Sequence, residues 1–268
     1  MNKQTYKYIL YAIFIIILYY LFIKLINIKC TSEFYTGSDP IIHIILTRYK
    51  ENDISKLLIP FVNKKNIIIY IFNKEKDKPN GIPDNANNIN IINIPNLGWD
   101  SYAYLYHIIN NYNNLPDYIV NLHASAQYLD HKLTVHNQIK DVILNINNSK
   151  NNNIKYYGGT VSETLLDFRL DNWQATLDSN KSYTNVYKPS KIYPLNNWLL
   201  SKLGKIPDSS IHNNNLLCNY FGMFIVHKSR ILKFSESFYR NILEEISVWQ
   251  SEVNHYLERS WYTFYNDE

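Results

Sequence analysis

The sequence predicts an α/β domain, an open and mostly parallel sheet flanked by helices, behind one N-terminal transmembrane helix. Three observations carry this. Isoleucine-rich runs without alternation, Ile41–Leu46 and Asn66–Phe72 foremost, read as strands buried on both faces. Segments of helical spacing separate such runs, and alternation of strand and helix builds a parallel sheet. Ahead of both, Tyr8–Ile23 (YILYAIFIIILYYLFI) carries no charge.

That apolar segment continues to Ile28, with Lys24 placed to snorkel, and reaches ~20 residues, enough for a bilayer core of ~30 Å. Tyr8, Tyr11, Tyr19 and Tyr20 lie toward its ends, where amphipathic rings prefer the membrane interface. It exceeds the ~7–15 apolar residues of a signal peptide, and no small-x-small cleavage site precedes Cys30. The expected organisation is an uncleaved anchor over 1–30, a short stem over 31–40 and a single globular domain over 41–268. Lys3 and Lys7 before the segment nearly balance Lys24 and Lys29 after it. The orientation adopted is a single-pass, type II one, with the domain lumenal or external. The sequons at Asn147 and Asn180 suit that side, but an Asn-rich chain produces such triplets by chance.

Along the domain, the first strand ends at Thr47–Asn52. A helix over Asp53–Ile59 follows, capped by Asp53 and stopped by Pro60, and then the strand Asn66–Phe72. Asn90–Ile94 is a third strand. Asp100–Tyr112 is a helix with Tyr102, Leu105, Ile108 and Ile109 on one face, and Asp117–Leu122 is a fourth strand. The second half is less regular: Asp167–Asn172 and Asn196–Leu203 read as helices, Phe221–His227 as a strand, and Arg230–Tyr265 as one or two long helices.

Composition narrows the function classes. Hydrophobic residues at 46% and charged residues at 19% suit a packed core rather than disorder. The net charge of +4 comes from scattered lysines without a basic stripe, so no nucleic-acid partner is expected. Two cysteines, Cys30 and Cys218, supply neither a zinc site nor a disulfide framework. The abundance of Asn, Ile, Lys and Tyr, all with A/T-rich codons, reads partly as a low-GC genome. Zincin, nucleophile-elbow, Walker and dinucleotide motifs are all absent.

In doubly wound sheets ligands bind beyond the carboxyl ends of the strands, and polar clusters follow each predicted strand here. Arg48 and Glu51 follow the first; the guanidinium suits phosphate or carboxylate, or a pair with Glu51. Asn73 and Lys74 follow the second, in a mixed-charge loop. In Asn96–Ser101, Gly98 permits a tight turn while Asp100 or Ser101 caps the next helix, leaving amides that suit an anion. The densest cluster follows the fourth strand: His123, Ser125, Asp130, His131 and Lys132. Asp130 with His131 suits a divalent cation or a general base, or is a helix cap with exposed neighbours. Near the C-terminus, Glu258 shares a helix face with His255, and Glu258 with Arg259 also reads as a surface brace.

Several stretches, in order, resemble the family called domain of unknown function 3431, which has relatives in fungi and giant DNA viruses. They are TRYKEN at Thr47–Asn52, IYIFNK at Ile69–Lys74, the run from Ile94 to Val120, FGMFIVHKSRIL at Phe221–Leu232 and HYLERSWYTFY at His255–Tyr265. The resemblance implies a glycosyltransferase A-like fold. The chain departs from it at Gly98-Trp99-Asp100, where relatives read Gly-Arg-Glu, and at His123-Ala124-Ser125, which in relatives often contains Gly. No phosphate-binding arginine therefore carries over to the first of these points.

The expectation is a membrane-anchored, glycosyltransferase-like protein that takes a nucleotide sugar and a glycan or protein acceptor. Arg48, Glu51, Asn73, Lys74, Gly98, Asp100, Ser125, Lys132 and Arg259 would bind substrate. Asp130, His131, His123 and Glu258 are the catalytic candidates. Such transferases hold Mn²⁺ or Mg²⁺ through an Asp-x-Asp element; none occurs here, so Asp130 and His131 would ligate the cation. The alternative is a non-catalytic binding or structural protein, of a virion or envelope, on the same fold. A metal-dependent hydrolase using Asp130 and His131 is the third reading. The membrane would be that of a host or a virion if the chain is viral.

Overall fold

Successive isoleucines leave a strand no polar face, and the protein buries such a strand inside a sheet. The computed structural model describes residues 39–146, 154–172 and 187–266. In it β1 (Ile42–Arg48) is buried continuously from Ile42 to Leu46. β2 (Ile67–Asn73), β3 (Ile89–Asn93) and β4 (Tyr118–His123) join it in parallel, and β5 (Tyr156–Tyr157) lies at the far edge. A small antiparallel sheet is built from β6 (Ser162–Leu165), β7 (Ile211–His212) and β8 (Asn215–Cys218). β9 (Phe224–His227) returns to the large sheet, antiparallel to β4 and β5. Among the described residues the large sheet has the order β3-β2-β1-β4-β9-β5. This is the α/β class expected, a mostly parallel mixed sheet with flanking helices.

Side chains alternate across the sheet at period two and sort into two cores. Ile45, Phe72, Ile119 and Phe224 face one, packed by α2 (Trp99–Asn111), α4 (Leu195–Leu203), α6 (Glu236–Ile246) and α7 (Val253–Tyr265). Ile44, Leu46, Ile69, Val120 and Ile225 face the other, packed by α1 (Ser55–Leu58) and α3 (Asp130–Asn145). Helices on both faces let strands be apolar throughout.

Several boundaries differ from the sequence expectation. Of Asp53–Ile59 only α1 is helical; Asp53 accepts from the Ser55 amide (2.8 Å). Of Asp167–Asn172 only Leu170–Asn172 forms a 3₁₀ turn. Phe221–His227 is not one strand, because Tyr220–Gly222 is a turn with Phe221 at φ 74° and pairing begins at Phe224. Arg230–Tyr265 holds the end of α5 (Lys228–Ile231), then α6 and α7, with Ser235 capping α6 by accepting from the Phe238 amide (3.2 Å). The face of α2 turns toward Tyr104, Leu105 and Ile108, leaving Tyr102 only partly buried.

The expected membrane segment Tyr8–Ile28, Cys30, nearly all of the stem and both sequons lie outside the described residues. Among the described residues no helix is long and apolar enough to cross a membrane. Cys218 is a buried free thiol whose pKa burial raises to about 11.

Candidate functional site

Sheet register places the site. Thr47 pairs with His123 and Arg48 with Asn73, so the carboxyl ends of β1, β2 and β4 lie level. The chain leaves β1 toward β2 on one side, while β4 lies on the other. That reversal is the topological switch point where α/β sheets open a crevice. A cavity of ≈ 260 Å³ lies there, lined by Thr47, Lys74, Asp100, His123, Ser125 and Lys132 and closed by Glu258 of α7.

At its floor, His123 Nε2 sits 3.0 Å from Asp100 Oδ2. Asn121 Nδ2, one inward-facing position back along β4, donates to that oxygen (3.2 Å) and to the Gly222 carbonyl (2.7 Å). Burial pushes the Asp100 carboxyl up, but the His123 imidazole, the residue's own amide and Lys74 outweigh it and hold the pKa below the ordinary value. Asp100 does not cap its helix. The N-cap is Gly98 at φ 57°, without a side-chain cap bond, and Asp100 reaches from the first turn to His123. Trp99, at φ 47°, carries the chain into that turn. Positive φ at Trp99, which lines the cavity, and at Phe221, whose amide donates to the lining residue Glu258, is the kind of strain that clusters at working sites.

Lys74 is buried, and its Nζ donates to the carbonyls of Leu97 and Trp99. Burial lowers its pKa to about 8, with Asp100 partly opposing the shift. Lys132, from the first turn of α3, lies 3.5 Å from Ser125 Oγ and over the Phe221 ring. Glu258 accepts from the Phe221 amide (3.0 Å), which anchors the strained turn to α7.

Other expected residues lie elsewhere. Arg48 is 3% exposed and does not face the cavity: it donates to the Glu51 carbonyl, Asn73 Oδ1 and the Asp77 carbonyl, bracing the ends of β1 and β2. Asn73 is equally buried and joins this brace through Asn93 and the Glu75 carbonyl. Glu51 does line the cavity, though it pairs with backbone amides of Tyr49 and Lys50 rather than with the Arg48 side chain. Arg259 does pair with Glu258 (3.5 Å), but as a buried guanidinium rather than on the surface. It stacks 3.9 Å over Phe168 and lines a separate cavity of ≈ 230 Å³. His255 packs edge-on against Trp99 (4.5 Å), and burial lowers its pKa to about 3.

Asp130 and His131 are exposed on the first turn of α3 and are absent from the cavity lining; the His131 ring lies against Phe221 (5.0 Å). Among the described residues no group of three or more His, Cys, Asp or Glu side chains is arranged to hold a metal ion. Asp100, the carboxylate deepest in the site, already accepts from Asn121 and faces His123. The Asp130 and His131 expected to ligate Mn²⁺ or Mg²⁺ thus stand outside the crevice that holds Asp100.

Sequence reasoning passed over Thr47, Asn121 and Gly222. A Cβ on Gly222 would stand 2.7 Å from Asp100 Oδ2, so glycine is required there. The larger cavity of ≈ 460 Å³, lined by Lys188, Ser190, Trp198, Lys202, Glu244 and Glu245 among others, includes no residue of the strands. Its Glu245 is held by Lys202 and the Trp198 indole, so the chemistry is assigned to the smaller crevice.

Fold and site thus define an α/β protein with a carboxylate–imidazole pair in its switch-point crevice. No protein family, curated protein or solved structure matches the chain.

Proposed function

We propose that the protein is a membrane-anchored, glycosyltransferase-like enzyme that transfers a sugar from a nucleotide sugar to an acceptor hydroxyl. The carrying observation is the Asp100–His123 pair in the crevice, with two lysines beside it. The sheet of parallel strands supports a glycosyltransferase A-like reading, as does the resemblance to the family called domain of unknown function 3431. The segment Tyr8–Ile28 supports the anchor.

A carboxylate 3.0 Å from an imidazole orients the ring and stabilises the charge it gains as a general base. His123 removes the proton of the acceptor hydroxyl, whose oxygen bonds to the anomeric carbon. The bond from that carbon to the diphosphate breaks, and its electron pair leaves with the diphosphate. Asp100 stabilises the imidazolium so formed, and Glu258 and Asn96 at the rim suit sugar hydroxyls.

The test is release of nucleoside diphosphate by the full chain in detergent from a panel of nucleotide sugars, with and without glycan acceptors. Release that disappears in His123→Ala supports the enzyme. Donor binding without release above the His123→Ala background identifies a non-catalytic binding protein and overturns it.

A further inference from the structure

Among the described residues three carboxylates line the crevice, and each has at least one oxygen engaged. Asp100 Oδ2 has Asn121 Nδ2 at 3.2 Å and His123 at 3.0 Å. Glu51 Oε2 accepts from the amides of Tyr49 (2.7 Å) and Lys50 (3.1 Å). Glu258 Oε1 accepts from Phe221 (3.0 Å), and its Oε2 lies 3.5 Å from Arg259. A hard divalent cation draws its oxygens from carboxylates and water, so one seated on these engaged oxygens would compete with bonds that hold the site together.

The cationic groups have the opposite disposition. An ammonium carries three donors. Lys74 commits two, to Leu97 and Trp99, and Lys132 makes one long contact to Ser125 (3.5 Å). Both line the cavity, one from the end of β2 and the other from the first turn of α3. Donors remain on each.

We infer that Lys74 and Lys132 bind the diphosphate of the donor and neutralise its charge as it leaves, with no divalent cation in the step. This rests on the transferase reading above. No redox partner or further reactant is needed: the proton stays on His123 and the electron pair on the diphosphate oxygen, which the two ammonium groups meet.

The test is calorimetric titration of the full chain in detergent with pyrophosphate, uridine diphosphate and guanosine diphosphate, once in EDTA and once in Mn²⁺. The expected result is binding in EDTA that changes by no more than about threefold in Mn²⁺. Lys132→Met should weaken it about tenfold, the cost of one charge-assisted contact, while Asp130→Asn leaves it unchanged. Lys132 lies at the cavity wall rather than in the core, and an unchanged melting temperature confirms a folded variant. Binding that needs Mn²⁺, or wild-type affinity in Lys132→Met, overturns the inference and leaves the transferase reading standing. No binding of any probe in either buffer overturns both.

Discussion

His123 ends β4 and Asp100 lies in the first turn of α2, yet the imidazole Nε2 and the carboxylate Oδ2 stand 3.0 Å apart, in the crevice between β1 and β4. The Gly222 turn closes over that contact: a Cβ there would sit 2.7 Å from Oδ2 and 3.7 Å from Nε2.

Asp100→Asn keeps the shape and removes the charge that stabilises a protonated His123. Turnover should fall by a factor of about 10² to 10⁴, with little change in donor affinity. Single-turnover kinetics beside equilibrium binding check this; equal losses in both would mean that Asp100 only holds the fold.

Gly222→Ala places a methyl group against Oδ2 at φ +60°. We expect a loss of about 1–3 kcal/mol together with reduced turnover, read by urea unfolding and activity. Wild-type stability would show that the turn relaxes without cost.

Acid should unfold the domain in a window set by its buried histidines. Burial holds His43 and His136 at about 4 and His107 and His255 at about 3. Unfolded histidines titrate near 6.5, so below that pH the unfolded chain binds protons that the folded one refuses. Stability therefore rises with pH in this range and is lost as pH falls from about 6.5 toward 4, by up to ~1.4 kcal/mol per pH unit for each histidine. His43 Nδ1 and His107 Nε2 lie 3.0 Å apart in the core. His107→Phe should flatten the slope by about one proton in urea titrations between pH 7 and 4.5, and an unchanged slope would refute this.

A diphosphate held by Lys74 should have an upper pH limit for binding. With its pKa near 8, this lysine loses its charge as pH rises through that value, and diphosphate affinity should decline above about pH 8. Lys74→Met should abolish that decline. Affinity flat to pH 9.5 in the wild type would remove Lys74 from the binding site.

α7 is a core helix, buried along nearly its whole length. Leu257→Ala should cost about 2–5 kcal/mol, while Leu200→Ala, at a residue 41% exposed on α4, should stay within about 0.5 kcal/mol. Chemical denaturation separates the two. Comparable losses would mean that α7 packs less tightly than its burial indicates.

The isoleucine-rich runs at Ile42–Leu46, interrupted only by His43, and Ile67–Phe72 were legible as strands covered on both sides, since burial on both faces leaves no polar alternation to read. The helices of α2 and α4 announced themselves by spacing in the same way. Their limits, set by caps and turns such as Gly98 at φ 57° and Phe221 at φ 74°, were less legible. The positive φ of Trp99 and Phe221 leaves no mark in residue type, because neither is a residue that favours it.

By itself, the sequence determined the α/β class, the level at which polar residues gather beyond the strands, and the candidacy of Lys74, Asp100, His123, Ser125, Lys132 and Glu258, because strand burial and residue chemistry are local properties. Only the tertiary structure decided which of the polar residues face one cavity. Strand register joined Arg48 to Asn73 as a brace, the return of β9 brought Gly222 against Asp100, and the packing of α7 sent Glu258 to the crevice and Arg259 to another cavity. Those pairings join residues far apart in the chain, and only the packing of the sheet and its helices determines them.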